Sequence, residues 1–130
     1  MPTDFMQPGA ARVNASRYLY LLAAAAILLE LFWPAARPAV AGLITEPWDK
    51  VAHIVVYSTL AGFLWAACGG RSALVVVAGA VLIGALDELH QAGVPGRTAD
   101  AMDFLADTFA VTATIGVLSV INAKGQSCAA

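Results

Sequence analysis

Charge is scarce in this chain: seven Lys and Arg and nine Asp and Glu make up 12% of 130 residues, while 60% are apolar. Soluble domains carry about 25% charged and about 45–50% apolar residues. The composition, with a mean hydropathy of +0.76, therefore excludes an ordinary soluble globule. The basic residues are too few and too scattered to form a stripe that tracks phosphates, so nucleic acid is excluded as a partner. Cysteine is limited to Cys68, in an apolar run, and Cys128, near the C-terminus, which leaves neither a disulfide framework nor a thiolate metal site. No internal repeat occurs, and the Ala23 to Ala26 run is the only low-complexity stretch.

What is present is apolar sequence, enough for about four spans of roughly 20 residues with no separate soluble domain. Residues 1–16, broken by Pro2, Pro8 and Gly9, read as a mobile N-terminus. The spans are expected at about 17–33, 47–68, 73–91 and 100–121, followed by a polar tail over 122–130. Arg12 and Arg17 before an apolar run, with Ala39-Val40-Ala41 after it, also suit a cleaved signal peptide. The run is long for an h-region of about 7–15 residues and carries Glu30 and Trp33 near its end, so a retained helix is the reading adopted. Pro34, Pro38 and Pro47 make 34–48 a loop, with Thr45 a candidate cap for the second span. Gly69-Gly70-Arg71 and the segment around Pro95-Gly96 read as turns, and the Val, Ala and Gly of the third span suit close helix packing.

With four spans, Arg12, Arg17, Arg71 and Lys124 share one side, and Arg37, Lys50 and Arg97 the other. Lys50 and Arg97 fall within a polar cluster. Setting them aside, the positive charges favour both termini in the cytoplasm, with Trp33 and Trp48 in the outer interfacial belt.

Ionisable residues inside such spans cost about 2.5–3.5 kcal/mol each at the bilayer centre on insertion scales, so they line cavities, pair, or do chemistry. Here they gather at one face. Asp49, His53 and Tyr57 follow at i, i+4 and i+8 along one helical stripe, Glu88 and Gln91 at i, i+3, and Asp103 and Asp107 at i, i+4, with Arg97 in the turn between. The fold class expected is therefore all-α, a four-helix transmembrane bundle with a polar pocket near the outer face. Each residue also has a plainer use. His53 is either a satisfied buried histidine, bonded to a carbonyl or to Asp49, or a base whose tautomer Asp49 fixes. Asp100 reads as a helix cap, Asp103 as a first-turn carboxylate or a site residue, and Tyr57 as packing with a bonded hydroxyl. Arg97 either pairs with Glu88 or Asp103 or holds an anion in its fork. Asp87, one turn before Gln91, either joins the pocket or, like His90, only faces interfacial water, and Glu30 either joins the pocket or reaches the interface.

The fragments Asp49-Lys50-x-x-His53-x-x-x-Tyr57, Glu88-x-x-Gln91, Pro95-x-Arg97 and Asp103-x-x-x-Asp107 together resemble the signature of VanZ-like membrane proteins. The resemblance covers about residues 45–115, and it is the order and spacing of the fragments that make it specific. The family pattern often has Asn at the position of Asp107 and Gly at that of Ala110. The resemblance implies a small multi-span protein of a bacterial-type cytoplasmic membrane, associated with the cell envelope and, in one member, with glycopeptide (teicoplanin) resistance.

Two functions of different class follow. In the first, a membrane-embedded enzyme acts on a lipid head group or lipid-linked envelope precursor: His53, Glu88 and Asp103 supply acid and base, while Asp49, Lys50, Tyr57, Gln91 and Arg97 bind the substrate. A divalent-metal version uses Asp103, Asp107, Glu88 and His53 as ligands. In the second, the pocket binds or shields an amphiphile or partner without turnover. An ion pathway is excluded, because the inner halves of the spans are nearly all apolar.

Overall fold

Four helices account for most of the described residues in a computed structural model that describes residues 8–33 and 44–127. They are α1 (Pro8–Phe32), α2 (Trp48–Ala67), α3 (Ala73–Ala92) and α4 (Ala101–Ser127), and no strand occurs among the described residues. Each contains an apolar stretch long enough to cross a bilayer: Ala15–Phe32, Trp48–Ala67, Ala73–Ala92 and Ala101–Gly125.

Two boundaries differ from expectation. α1 reaches back to Pro8, so residues 8–16 are helical rather than a mobile N-terminus. Proline at the first helical position needs no N–H and has a fitting φ, and the residues after it include ordinary helix formers. α4 likewise runs on to Ser127, through most of the expected tail. No proline stops it, Lys124 suits the negative end of the helix dipole, and Ser127 Oγ donates to the Ala123 carbonyl at 3.1 Å. Most of the expected loop, 34–43, and with it the Ala39-Val40-Ala41 pattern, lies outside the described residues. The Thr45 side chain does not cap α2. Pro47 holds the cap position without a side-chain bond, and the Thr45 carbonyl accepts from Trp48 N–H at 2.9 Å.

Short connections make successive helices antiparallel, and two polar ties fix one end of the bundle. Arg17 Nε donates to the Ala67 carbonyl at 2.8 Å, joining the start of the first span to the end of α2. Asn122 Nδ2 donates to the Gly70 carbonyl at 2.9 Å, joining the end of α4 to the α2–α3 turn. That turn uses left-handed backbone at Gly69 and Gly70, φ +66° and +70°. α2, α3 and α4 pack on one another, and α1 leans chiefly on α2. The core between them is built from Leu60, Ala61 and Trp65 of α2, Val76 and Ala80 of α3, and Ala110, Val111 and Ile115 of α4. Alanines at these positions let the backbones approach, which is what drives association where lipid removes the hydrophobic difference between inside and outside. The outer faces are apolar as well: Leu74, Leu89 and Phe109 are 81%, 72% and 65% exposed. Such surfaces suit contact with acyl chains rather than water.

Candidate functional site

The antiparallel order brings the start of α2, the end of α3 and the start of α4 to the same end of the bundle, and all the polar residues of interest meet there. α2 supplies Asp49, Lys50, His53 and Tyr57, α3 supplies Asp87, Glu88 and Gln91, and α4 supplies Asp103 and Asp107 behind Asp100. Asp87, Glu88, Gln91, Asp103 and Asp107 are all buried, Asp87 and Asp107 almost completely.

The outer layer is an ion cluster around Lys50. Its Nζ lies 3.0 Å from Glu46 Oε1, 3.1 Å from Asp100 Oδ2, 3.1 Å from Asp103 Oδ1 and 3.4 Å from Asp49 Oδ2. Asp49 also accepts the Lys50 backbone N–H, at 2.8 Å. The cap expected at Asp100 is present: its Oδ1 accepts Met102 N–H at 2.9 Å. That bond, with Lys50 beside it, holds the Asp100 carboxyl below the usual carboxylate range.

Beneath this layer, His53 Nδ1 donates to Asp107 Oδ1 at 2.9 Å, and its Nε2 stands 3.7 Å from Asp103 Oδ2. The partner of His53 is thus Asp107 on α4, not Asp49 one turn away, because Asp49 is held at the rim by Lys50. Tyr57 lies parallel to the His53 ring, with centroids 6.2 Å apart, and its hydroxyl donates to Asp87 Oδ2 at 3.3 Å. Glu88 Oε2 accepts the backbone N–H of Asp100 at 2.8 Å, locking the end of α3 to the start of α4. One donor atom from each of His53, Glu88 and Asp107 lies within 4.8 Å of the others. Asp103, the fourth metal ligand expected from sequence, stands outside this trio and turns one oxygen to Lys50.

Three buried carboxylate oxygens have no hydrogen-bond partner: Asp87 Oδ1, Glu88 Oε1 and Asp107 Oδ2. Orphaned acceptors of this kind are rare because each forfeits the hydration it had in water. Next to them is a cavity of about 110 Å³ lined by His53, Tyr57, Asp87, Gln91 and Arg97, with Leu31 and Val56 on its apolar side. A larger, almost wholly apolar groove of about 450 Å³ runs between α1 and α2, lined by Ala26, Ile27, Leu31, Val55, Val56 and Thr59. Glu30 lines that groove and not the polar chamber.

One participant was left open by the sequence and one was not anticipated. Asp87 belongs to the chamber and not to interfacial water: it is 1% exposed and takes the Tyr57 hydroxyl. Gly84 sits where a Cβ would meet Asp107 Oδ2 at 3.3 Å and Tyr57 Cε1 at 3.5 Å, so the bare backbone makes room for the chamber. A glycine one turn before an Asp-Glu pair is the signal that was available for it. His90, expected at the interface, is only partly exposed and packs on the Phe32 ring at 5.3 Å between centroids.

Four apolar helices enclosing a carboxylate-rich chamber at one end define a small integral membrane protein. A family model described as VanZ/LLP1 matches residues 6–122, nearly the whole chain, and the protein belongs to this family. No curated protein matches the chain, and no solved structure does.

Proposed function

We propose that the chain takes a lipid or lipid-linked envelope precursor, head group in the chamber and chain in the apolar groove, and acts on the head group. The observation that carries this reading is that polar cavity and apolar groove lie side by side, with Leu31 and Val56 forming the boundary of both. The cavity is far smaller than the ~300–1,000 Å³ that encloses a drug-sized ligand, so it suits a small anionic group with the rest of the molecule left in the membrane. Arg97 at the cavity wall offers a planar fork for phosphate or carboxylate, and Gln91 a neutral donor. His53, seated by Asp107, and Glu88 activate the attacking oxygen. We read both termini as cytoplasmic, which puts the chamber at the outer face of a bacterial-type cytoplasmic membrane. Chemistry on an envelope precursor at that face accords with the link to teicoplanin resistance in one VanZ-like member.

The test is reconstitution in nanodiscs containing phosphatidylglycerol or a polyprenyl phosphate, with head-group release followed by mass spectrometry. His53→Gln and Glu88→Gln are expected to abolish release while lipid still co-purifies, and Arg97→Ala to lose the lipid. If wild-type protein retains these lipids but releases nothing, and His53→Gln retains them equally, the non-catalytic binding or shielding role replaces this reading. If no lipid is retained, both fall.

A further inference from the structure

We infer that His53, Glu88 and Asp107 hold a divalent transition-metal cation. The inference deepens the reading above, naming what activates the attacking oxygen, and rests on it only for that purpose. The first support is convergence: three side chains from three helices bring one donor atom each to within 4.8 Å of one another. Ligand atoms about 2.1 Å from a tetrahedral zinc stand roughly 3.4 Å apart, so small side-chain rotations complete the site. The second support is independent of the clustering. Glu88 Oε1 and Asp107 Oδ2, on residues 8% and 0% exposed, have no partner at all. Their other oxygens are already used, by Asp100 N–H at 2.8 Å and by His53 at 2.9 Å. Glu88 is thus anchored by one oxygen and presents the other, the arrangement in which a supporting bond orients a metal ligand, while Asp107 presents its bare Oδ2 beside the His53 ring.

The donor set chooses among ions. One imidazole nitrogen with two carboxylate oxygens suits Zn²⁺ or Mn²⁺, whereas Mg²⁺ and Ca²⁺ favour all-oxygen shells. In the metal-free chamber the Nδ1 proton of His53 lies toward Asp107; the cation takes its place at Nδ1, the ring keeps one proton on Nε2, and from a doubly protonated ring the Nδ1 proton leaves to solvent. The far side of the ring then faces Asp103 Oδ2, 3.7 Å from Nε2, where a ligating imidazole needs a carboxylate.

The experiment uses the full chain in nanodiscs, stripped with EDTA and titrated with Zn²⁺ or Mn²⁺ alone. Calorimetry in buffers of different ionisation enthalpy and Mn²⁺ paramagnetic resonance give stoichiometry, affinity and proton release without any substrate. One ion per chain is expected, with proton release, and with binding at least 10-fold weaker for Mg²⁺. Glu88→Gln and Asp107→Asn, which keep the shape, should each weaken Mn²⁺ binding by 10-fold or more, and His53→Ala by more still. Glu46→Gln, an exposed carboxylate outside the trio, should bind the ion as the parent does. Should His53→Ala fail to fold, the two amide variants decide alone. Absence of binding at millimolar ion, or undiminished binding in both amide variants, overturns the inference. Lipid retention by the stripped protein is scored separately, so loss of lipid with intact Mn²⁺ binding overturns the head-group reading and leaves the metal site standing.

Discussion

Gly84→Ala tests whether the chamber depends on the close approach of α3 to α4 and α2. In a helix interior, Ala is favoured over Gly by about 0.5–1 kcal/mol through backbone entropy alone. Against this, the new Cβ meets Asp107 Oδ2 at 3.3 Å, Asp107 Cβ at 3.4 Å and Tyr57 Cε1 at 3.5 Å. Two of these contacts are tighter than ordinary packing, and neither neighbour yields freely: Asp107 is held by His53 and Tyr57 by Asp87. Overpacking of a filled site costs about 1–3 kcal/mol, so the two terms nearly cancel or leave a net loss of up to about 2.5 kcal/mol. The displacement falls on Asp107, so chamber function should suffer more than stability does.

Gly79 on the same helix provides the comparison, because a Cβ there meets nothing within 4 Å. Thermal unfolding in nanodiscs should show Gly79→Ala equal to or more stable than the parent and Gly84→Ala less stable than Gly79→Ala. Mn²⁺ affinity should drop only in the second. If Gly84→Ala gains as much stability as Gly79→Ala and keeps the parent's ion affinity, the close approach at Gly84 plays no part in shaping the chamber.

Three further outcomes are expected. Tyr57→Phe removes the hydroxyl that Asp87 Oδ2 accepts, leaving both Asp87 oxygens without partners, and should cost about 1–3 kcal/mol in unfolding measurements; a Tyr57→Phe/Asp87→Leu double variant that recovers none of it would refute the pairing. The lowered pKa of Asp100 means that its contribution to stability is present above the usual carboxylate range and is lost as pH falls through its own lower value, so acid melting curves should lose this step in Asp100→Asn, which keeps the cap. In a chain with Cys68 and Cys128 replaced, single cysteines at 46 and 97 should react with impermeant thiol reagents from one face of a vesicle, and those at 71 and 124 from the other; labelling of 46 and 97 from opposite faces would break the bundle's topology.

The bundle was legible because apolar length and the cost of charge in lipid are both local properties of the sequence. Asp49, His53 and Tyr57 at helical spacing, with Asp103 and Asp107 on another span, announced a shared chamber once the chain was folded antiparallel. The pairing inside the chamber was not legible, because it is tertiary. The i, i+4 spacing of Asp49 and His53 suggested a couple, but Lys50 draws Asp49 outward and His53 finds Asp107, 54 residues away. Lys50, expected to hold a substrate anion, is instead surrounded by four carboxylates. Asp87 and Glu88 differ by about 100° around the helix, so spacing alone does not turn both inward. Both are buried because α3 is flanked, with Tyr57 of α2 taking one and the start of α4 taking the other. The helical extensions of α1 and α4 escaped notice because hydropathy marks where a helix crosses a membrane and not where it ends.

The two ends of the bundle are held together by different physics, and the difference bears on why the chamber exists. At one end, single bonds from Arg17 and Asn122 to backbone carbonyls tie helices that already pack through small residues. At the other, Asp87, Glu88 and Asp107 are buried with an oxygen apiece unanswered. Interhelical polar bonds in lipid contribute only about 0.6 kcal/mol on average, less than the roughly 1–3 kcal/mol that each unsatisfied acceptor costs. As glue, then, the chamber is a net loss, and a leucine or an asparagine at these positions would serve the fold better. Residues that break the local rules of stability together, at one place and from two helices, are accounted for by what they bind. A cation between His53, Glu88 and Asp107 converts the deficit into coordination, beside the cavity that Arg97 and Gln91 line.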